Sequence, residues 1–239
     1  MKAYVHSYES LAGNDGDGLR YAVFLQGCPL RCAYCHNPDT QCGNGREISE
    51  NELLEKLLRY TPYFKSGGGV TFSGGEPLLQ AEFIESIGAL LKKEGVSYII
   101  DTSGAIPLTD TVRGALSGAE SVILDLKFPN DEEYLKYTGA RIENTLKTLS
   151  YLNEIGKKTV IRTVIVPGIN DTEEKIKEYL SLLSGVKCIS KYELLPFHTM
   201  GFFKYEGLGI ENPLKNTPPM DRKRLDELQH YLNNNIKLS

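Results

Sequence analysis

The chain of 239 residues has no tryptophan, only three methionines and four histidines, and five cysteines. It also has no apolar run near the ~20 residues that a membrane-spanning helix needs. Met1–Ser10 shows no basic stretch followed by an apolar segment, so a soluble cytoplasmic protein without membrane contact is expected. Charge of one sign is missing as well: 27 Lys and Arg stand against 31 Asp and Glu, a net charge of −4. Without a general basic field, no nucleic-acid partner is expected. Five cysteines are an odd number, which argues against a disulfide framework and for a reducing compartment. Low-complexity tracts, exact repeats and long linkers are lacking too, so residues 1–239 are read as one domain, expected to be a monomer.

What the chain does have is a concentrated loop. Cys28, Cys32 and Cys35 fall within Gly27-Cys28-Pro29-Leu30-Arg31-Cys32-Ala33-Tyr34-Cys35-His36-Asn37. Three thiolates in a CxxxCxxC spacing can hold three irons of a [4Fe–4S] cubane and leave the fourth open to another ligand. The alternative is a structural zinc site built from the same cysteines with His36 or Cys42. The adjacency of Cys35 and His36 makes that awkward, and no second cysteine pair completes a finger, because Cys188 is remote. Cys42 and Cys188 read as free thiols.

Apolar strand-like runs alternate with helix-period segments: Tyr21–Leu25, Gly69–Ser73, Ser97–Thr102, Ser121–Leu126, Thr159–Val166 and Lys187–Leu195. Helices are predicted over 48–60, with Ser49 and Glu52 as a capping box, over 79–94, 109–116, within 131–155, between the last two strands, and over 220–232. Thr199–Pro219, rich in Gly, Asn and Pro, reads as a surface loop. About six β/α units are too few to close an eight-unit barrel, so the expected fold is α/β: a partial, open (β/α)6 TIM-like barrel of parallel strands wrapped by helices.

Polar residues recur where the strands stop. In a parallel barrel these ends share one face, so they would converge over the cysteine loop. Gly74 and Gly75 let backbone approach a ligand, and Glu76 is placed to cap the next helix or meet a ligand amine. Asp101 and Asp125 end consecutive strands and would need a cation or partner between them. Lys127 is one answer; a hard cation held by Asp101, Thr102 and Asp125 is another, and helix capping is the plain alternative. Arg162 interrupts an apolar strand and calls for an anion, which a ligand carboxylate would supply. His198 is either a ligand contact or a polar rim residue.

The cysteine loop with Tyr34 and His36, the Ser73-Gly74-Gly75-Glu76 turn, Asp125-Leu126-Lys127 and Leu194-Leu195-Pro196-Phe197-His198 together resemble radical S-adenosylmethionine (SAM) enzymes. More narrowly, they resemble the glycyl-radical-enzyme activases of the pyruvate formate-lyase type, over nearly the whole chain. The resemblance implies that Cys28, Cys32 and Cys35 ligate a [4Fe–4S] cluster whose fourth iron takes the amino and carboxylate groups of SAM. Tyr34, Cys35 and His36 would then line the adenine side and Gly74, Gly75 and Glu76 the methionine amine, while Asp125, Leu126, Lys127, Arg162 and His198 hold the rest. Reduced flavodoxin or ferredoxin would supply an electron, and the resulting 5′-deoxyadenosyl radical would take a hydrogen from a glycine Cα of a partner enzyme. No acid–base pair is needed for such a transfer. Asp15, Gly16, Gly18 and Arg20 resemble a DGPGxR substrate-side loop, with Asp17 where proline is usual. No inserted ferredoxin-like segment follows His36, which favours the pyruvate formate-lyase type.

Overall fold

A computed structural model of the chain describes residues 1–236 apart from Asn14, Asp15, Cys42, Asn44, Lys65 and Ser66. Asp15 of the glycine-rich segment and Cys42 therefore lie outside the described residues. The sheet has eight strands: β1 (Lys2–Ala12), β2 (Arg20–Leu25), β3 (Arg46–Ser49), β4 (Gly69–Gly74), β5 (Tyr98–Thr102), β6 (Ser121–Asp125), β7 (Thr159–Ile165) and β8 (Ile189–Pro196). Their spatial order is β3-β1-β2-β4-β5-β6-β7-β8. From β2 through β4 to β8 every neighbouring pair is parallel, so the six expected units form one continuous run of strands in chain order.

β1 and β3 pair antiparallel at the β2 edge, and the sequence reading misses both. The start of β1 carries a period-two signal, with Ala3 and Val5 buried between exposed Lys2 and Tyr4, but its second half turns polar and exposed. β3 is only four residues long. Ile48 and Ser49 belong to it, so helix α1 runs Glu50–Leu58 and starts later than predicted. Its cap is the predicted one: Ser49 Oγ accepts from the Glu52 amide while Glu52 accepts from the Ser49 amide.

Period two also divides each inner strand between two surroundings. Phe72, Ile100, Leu124 and Ile161 are fully buried against the helical layer. That layer includes α2 (Ala81–Lys93), α3 (Asp110–Gly118), α4 (Asp131–Thr138), α5 (Glu143–Glu154), α6 (Glu173–Leu182) and α8 (Arg222–Asn235). The alternate residues, Ile99 and Asp101, Ile123 and Asp125, Val160 and Arg162, Lys191 and Glu193, line cavities on the concave side. Strand twist curls the sheet without closing it, leaving β3 and β8 as its edges. The curl brings Asp17, before β2, within 2.7 Å of Lys158, before β7, at the strands' N-terminal ends. At the other end it places the rings of His36 and His198 3.7 Å apart.

One expected loop is not a loop. Within Thr199–Pro219 the chain forms α7 (Phe202–Leu208), ended by left-handed Gly209. Glycine and proline at the segment's borders hid a short helix that is held by packing: Tyr205 is 5 % exposed.

Candidate active site

The cysteine loop is held by backbone hydrogen bonds from several parts of the fold. The Gly27 amide donates to the Thr40 carbonyl at 2.8 Å, and the Gly27 carbonyl accepts from the Glu76 amide at 2.7 Å. The amides of Arg31 and Ala33 donate to the carbonyls of Thr138 and Tyr137 at the end of α4, at 2.7 and 2.8 Å. From above, the Tyr205 hydroxyl donates to the Cys35 carbonyl at 2.9 Å. A loop this constrained holds its thiols in place before any ligand arrives.

Cys28, Cys32 and Cys35 are free and half-buried, and all three line a cavity of about 300 Å3. The same cavity is lined by Ser73, Gly74, Gly75, Asp101, Thr102, Asp125 and Lys127, at the C-terminal ends of three parallel strands, and by Arg162 from the middle of β7. The convergence expected from the sequence is therefore present. Gly75 is sterically required: a Cβ there would stand 2.1 Å from the Gly27 carbonyl oxygen and 3.1 Å from the Cys28 Cβ. Glycine at this position lets the β4 turn lie directly against the cysteine loop.

The charged groups are arranged in pairs. Lys127 Nζ donates to Asp125 Oδ2. Burial works against the Lys127 ammonium, but Asp125 together with Cys32 and Tyr34 outweighs it, and the pKa is raised well above the ordinary value. Ser73 Oγ donates to Asp101 Oδ2 at 2.8 Å. Arg162 Nε donates to Glu193 Oε2 at 2.9 Å, so the anion that Arg162 calls for comes first from its own chain. Glu193, one strand over from Arg162 in register, is a residue that the sequence reading misses. Its position two residues before Leu195, within a strand otherwise ending in apolar residues, was the available signal.

Three of the expected contacts lie off the cavity wall. Glu76 is fully buried and spends its carboxylate on the chain itself: Oε1 accepts from Thr102 Oγ1 at 2.6 Å and the Leu78 amide at 3.1 Å, and Oε2 accepts from the Ser103 amide at 3.0 Å and from Ser103 Oγ. It braces the strand ends and caps the turn after β4. Leu126 is fully buried in the core. His198 stacks on His36 and presents its carbonyl to His36 Nε2 at 3.2 Å. Burial and the neighbouring His198 push the His36 pKa down to about 4, so its imidazole is neutral at pH 7.

The glycine-rich segment lies elsewhere. Arg20 begins β2, whereas the cysteine loop follows its other end, so Gly16, Gly18 and Arg20 sit at the opposite mouth of the barrel. Arg20 is 1 % exposed, with its guanidinium donating to Thr71 Oγ1 and to the carbonyls of Asp17, Gly67 and Val70. It is a structural anchor.

The donor set fits a cluster with SAM. Burial pushes the Cys28 thiol up to about 11 and Cys32 up to about 12, a state that cationic iron would reverse, since metal binding to buried thiols releases their protons. Zinc would draw its ligands around one point, whereas a cubane spreads three thiolates over three irons. Among the described residues, no group of three or more His, Cys, Asp or Glu is placed to hold a single metal ion. The hard cation at Asp101, Thr102 and Asp125 gains no support either, because Ser73 and Lys127 already meet the two carboxylates. The Tyr34 hydroxyl and His198 Nδ1 are buried without a partner, two polar atoms beside the cysteine loop that a ligand would satisfy. Carboxylates facing a lysine and an arginine suit a zwitterionic amino-acid group.

Residues 22–180 match the Radical SAM superfamily. The chain is 43% identical over 230 residues to a pyruvate formate-lyase-activating enzyme of Clostridium pasteurianum, covering 95% of this chain and 96% of that one. It is 39% identical over 246 residues to the enzyme of the same name from Staphylococcus epidermidis, covering 100% and 98%. Among solved structures, Streptococcus suis SuiB bound to S-adenosylmethionine superposes with a TM-score of 0.69 at 17% identity, over 90% of this chain and 48% of that chain, a likeness of fold.

Proposed function

The chain belongs to the radical SAM superfamily, in the family of the pyruvate formate-lyase-activating enzymes, and on that footing we propose that it activates a pyruvate formate-lyase. Cys28, Cys32 and Cys35 would hold the [4Fe–4S] cluster, and the strand ends opposite them would hold SAM. When bound, cluster and cosubstrate supply, from one electron, a carbon radical that takes a hydrogen atom from a glycine Cα of the partner enzyme, releasing methionine and 5′-deoxyadenosine.

The chain's own residues bind, orient and exclude water. Gly74 and Gly75 bring backbone to the cysteine loop, Asp125 and Lys127 together with Arg162 present both signs of charge, and Tyr34 offers an unpaired hydroxyl. α7 ties the loop through Tyr205, and a reactive carbon radical would require water to be kept from the site. Because a hydrogen atom moves and not a proton, the paired state of Asp101 and Asp125 is no obstacle. The segment with Gly16 and Gly18 would face the partner's glycine-bearing segment. Reduced flavodoxin or ferredoxin would supply the electron in the cytoplasm, and the whole chain, 1–239, would work as one domain and as a monomer. Among the described residues no helix is long and apolar enough to cross a membrane.

The observation that carries this reading is the convergence of three thiols, the Asp125–Lys127 pair, Asp101 and Arg162 on one cavity. Anaerobic reconstitution tests it. Iron and sulfide of about four each per chain, with SAM cleavage under dithionite, are expected; a folded, reconstituted sample that does neither rules it out.

A further inference from the structure

A second cavity, of about 480 Å3, opens at the N-terminal ends of the same strands and shares Arg162 and Leu195 with the first. Asp17 and Lys158, 141 residues apart, both line it, and their Oδ2 and Nζ atoms meet at 2.7 Å. The Asp17 backbone is fixed from behind. The buried Arg20 holds its carbonyl at 3.1 Å and that of Gly67 at 3.1 Å. Gly18 sits at φ +71, where an added Cβ would stand 2.5 Å from the Gly68 nitrogen. Among the described residues, the Asp17 side chain reaches across the opening to Lys158. Lys191 and Arg20 add to the positive field on that carboxylate.

The side chains of the pair are 79% and 52% exposed, so it belongs to the weakest class of ion pair, easily displaced and sensitive to salt. At the other mouth Tyr205 of α7 bonds the cysteine loop and His36 stacks on His198. Because the two cavities share Arg162 and Leu195, a chain segment that enters by the lower mouth leads toward the cysteines.

We infer that Asp17 and Lys158 form a latch across this lower opening, closed in the free protein and displaced when the partner's glycine-bearing segment enters. Asp17 then sets how readily the partner is accepted, and leaves cleavage of the cosubstrate untouched. The inference rests on the activase reading above. Proline, usual at this position in the motif that the segment resembles, has no carboxylate and could not form the latch. A closed latch reduces apparent affinity by the fraction of molecules that are open.

The test uses reconstituted protein with pyruvate formate-lyase as the probe. Asp17→Asn and Lys158→Gln are each expected to lower the KM for that partner roughly 1.4- to 5-fold, the span of exposed ion pairs. Neither should change kcat or the rate of SAM cleavage without partner. Deuterium uptake by the protein alone should quicken at Gly16–Leu19 in both variants, and the charge-swapped double variant Asp17→Lys with Lys158→Asp should restore slow uptake and the original KM. An unchanged or raised KM, or uptake that does not respond, overturns the latch. If the parent protein cleaves SAM but leaves no radical on the partner, the activase reading fails, while the uptake measurements still decide whether the pair closes the mouth.

Discussion

The hydroxyl of Tyr205 donates a 2.9 Å hydrogen bond to the carbonyl of Cys35, tying a helix near the end of the chain to a residue of the cysteine loop near its start. Lys204, next to it, reaches Asn37 Oδ1 at 2.7 Å and Asp39 Oδ1 at 3.1 Å. The cover over the site is thus built on the ligand loop itself, and its loosening should be felt by whatever the loop holds.

Tyr205→Phe removes that bond and keeps the ring. A stability loss of about 0.5–1.5 kcal/mol in urea unfolding is expected, with iron released to a chelator several-fold faster. Cys188→Ala, at a buried thiol remote from the loop, should leave iron release unchanged. Equal release from the two variants would show that α7 does not hold the loop.

Glu76→Gln replaces an acceptor-only group by one that turns an NH2 toward the donors of Thr102, Ser103 and Leu78. Denaturant unfolding should register a loss of about 1–3 kcal/mol, the cost of a buried donor left unpaired. A variant as stable as the parent would mean that the carboxylate is not the brace described.

Glu193 acts through Arg162. Glu193→Gln keeps the shape but removes the charge that fixes the guanidinium, and should weaken SAM binding about 3- to 10-fold by calorimetry; Arg162→Ala should weaken it about 10- to 100-fold, the worth of a charge-assisted bond. Were the Glu193 variant the weaker binder, the order of action would be reversed.

His36 gives the apoprotein a pH dependence of known sign. Its folded pKa is lowered to about 4, below the unfolded value near 6.5, so between these values the unfolded chain binds more protons. This stability is complete above the unfolded pKa and falls away as pH drops from about 6.5 toward 4. Melting temperatures across that window should fall less steeply for His36→Gln. A variant that tracks the parent at every pH would contradict the assignment.

How much of this was legible in the sequence depends on the length scale of the signal. Apolar runs such as Ser121–Leu126 and Thr159–Val166 announced all six parallel strands, because strands buried on both faces read as continuous apolar stretches. Edge strands β1 and β3 were missed, since a half-exposed edge dilutes the same pattern. Within the site, Asp101, Asp125 and Lys127 were found because position at a strand end selects them, and Arg162 because a charge interrupts an apolar strand; all four line the cavity. Orientation was not legible. Nothing in Gly74-Gly75-Glu76 tells that the carboxylate turns toward Ser103, and nothing near Arg162 names Glu193, because both facts arise between neighbouring strands. The contact between Asp17 and Lys158 is the extreme case, visible only once the sheet curls.

The central claim is that Cys28, Cys32 and Cys35 arm this chain to place a radical on a glycine of another enzyme. Electron paramagnetic resonance of pyruvate formate-lyase, incubated anaerobically with the reconstituted chain, SAM and dithionite, tests it most directly. A glycyl radical doublet that depends on SAM and disappears with Cys32→Ala is expected. Cleavage of SAM with no radical on the partner, or a doublet that survives Cys32→Ala, would contradict it.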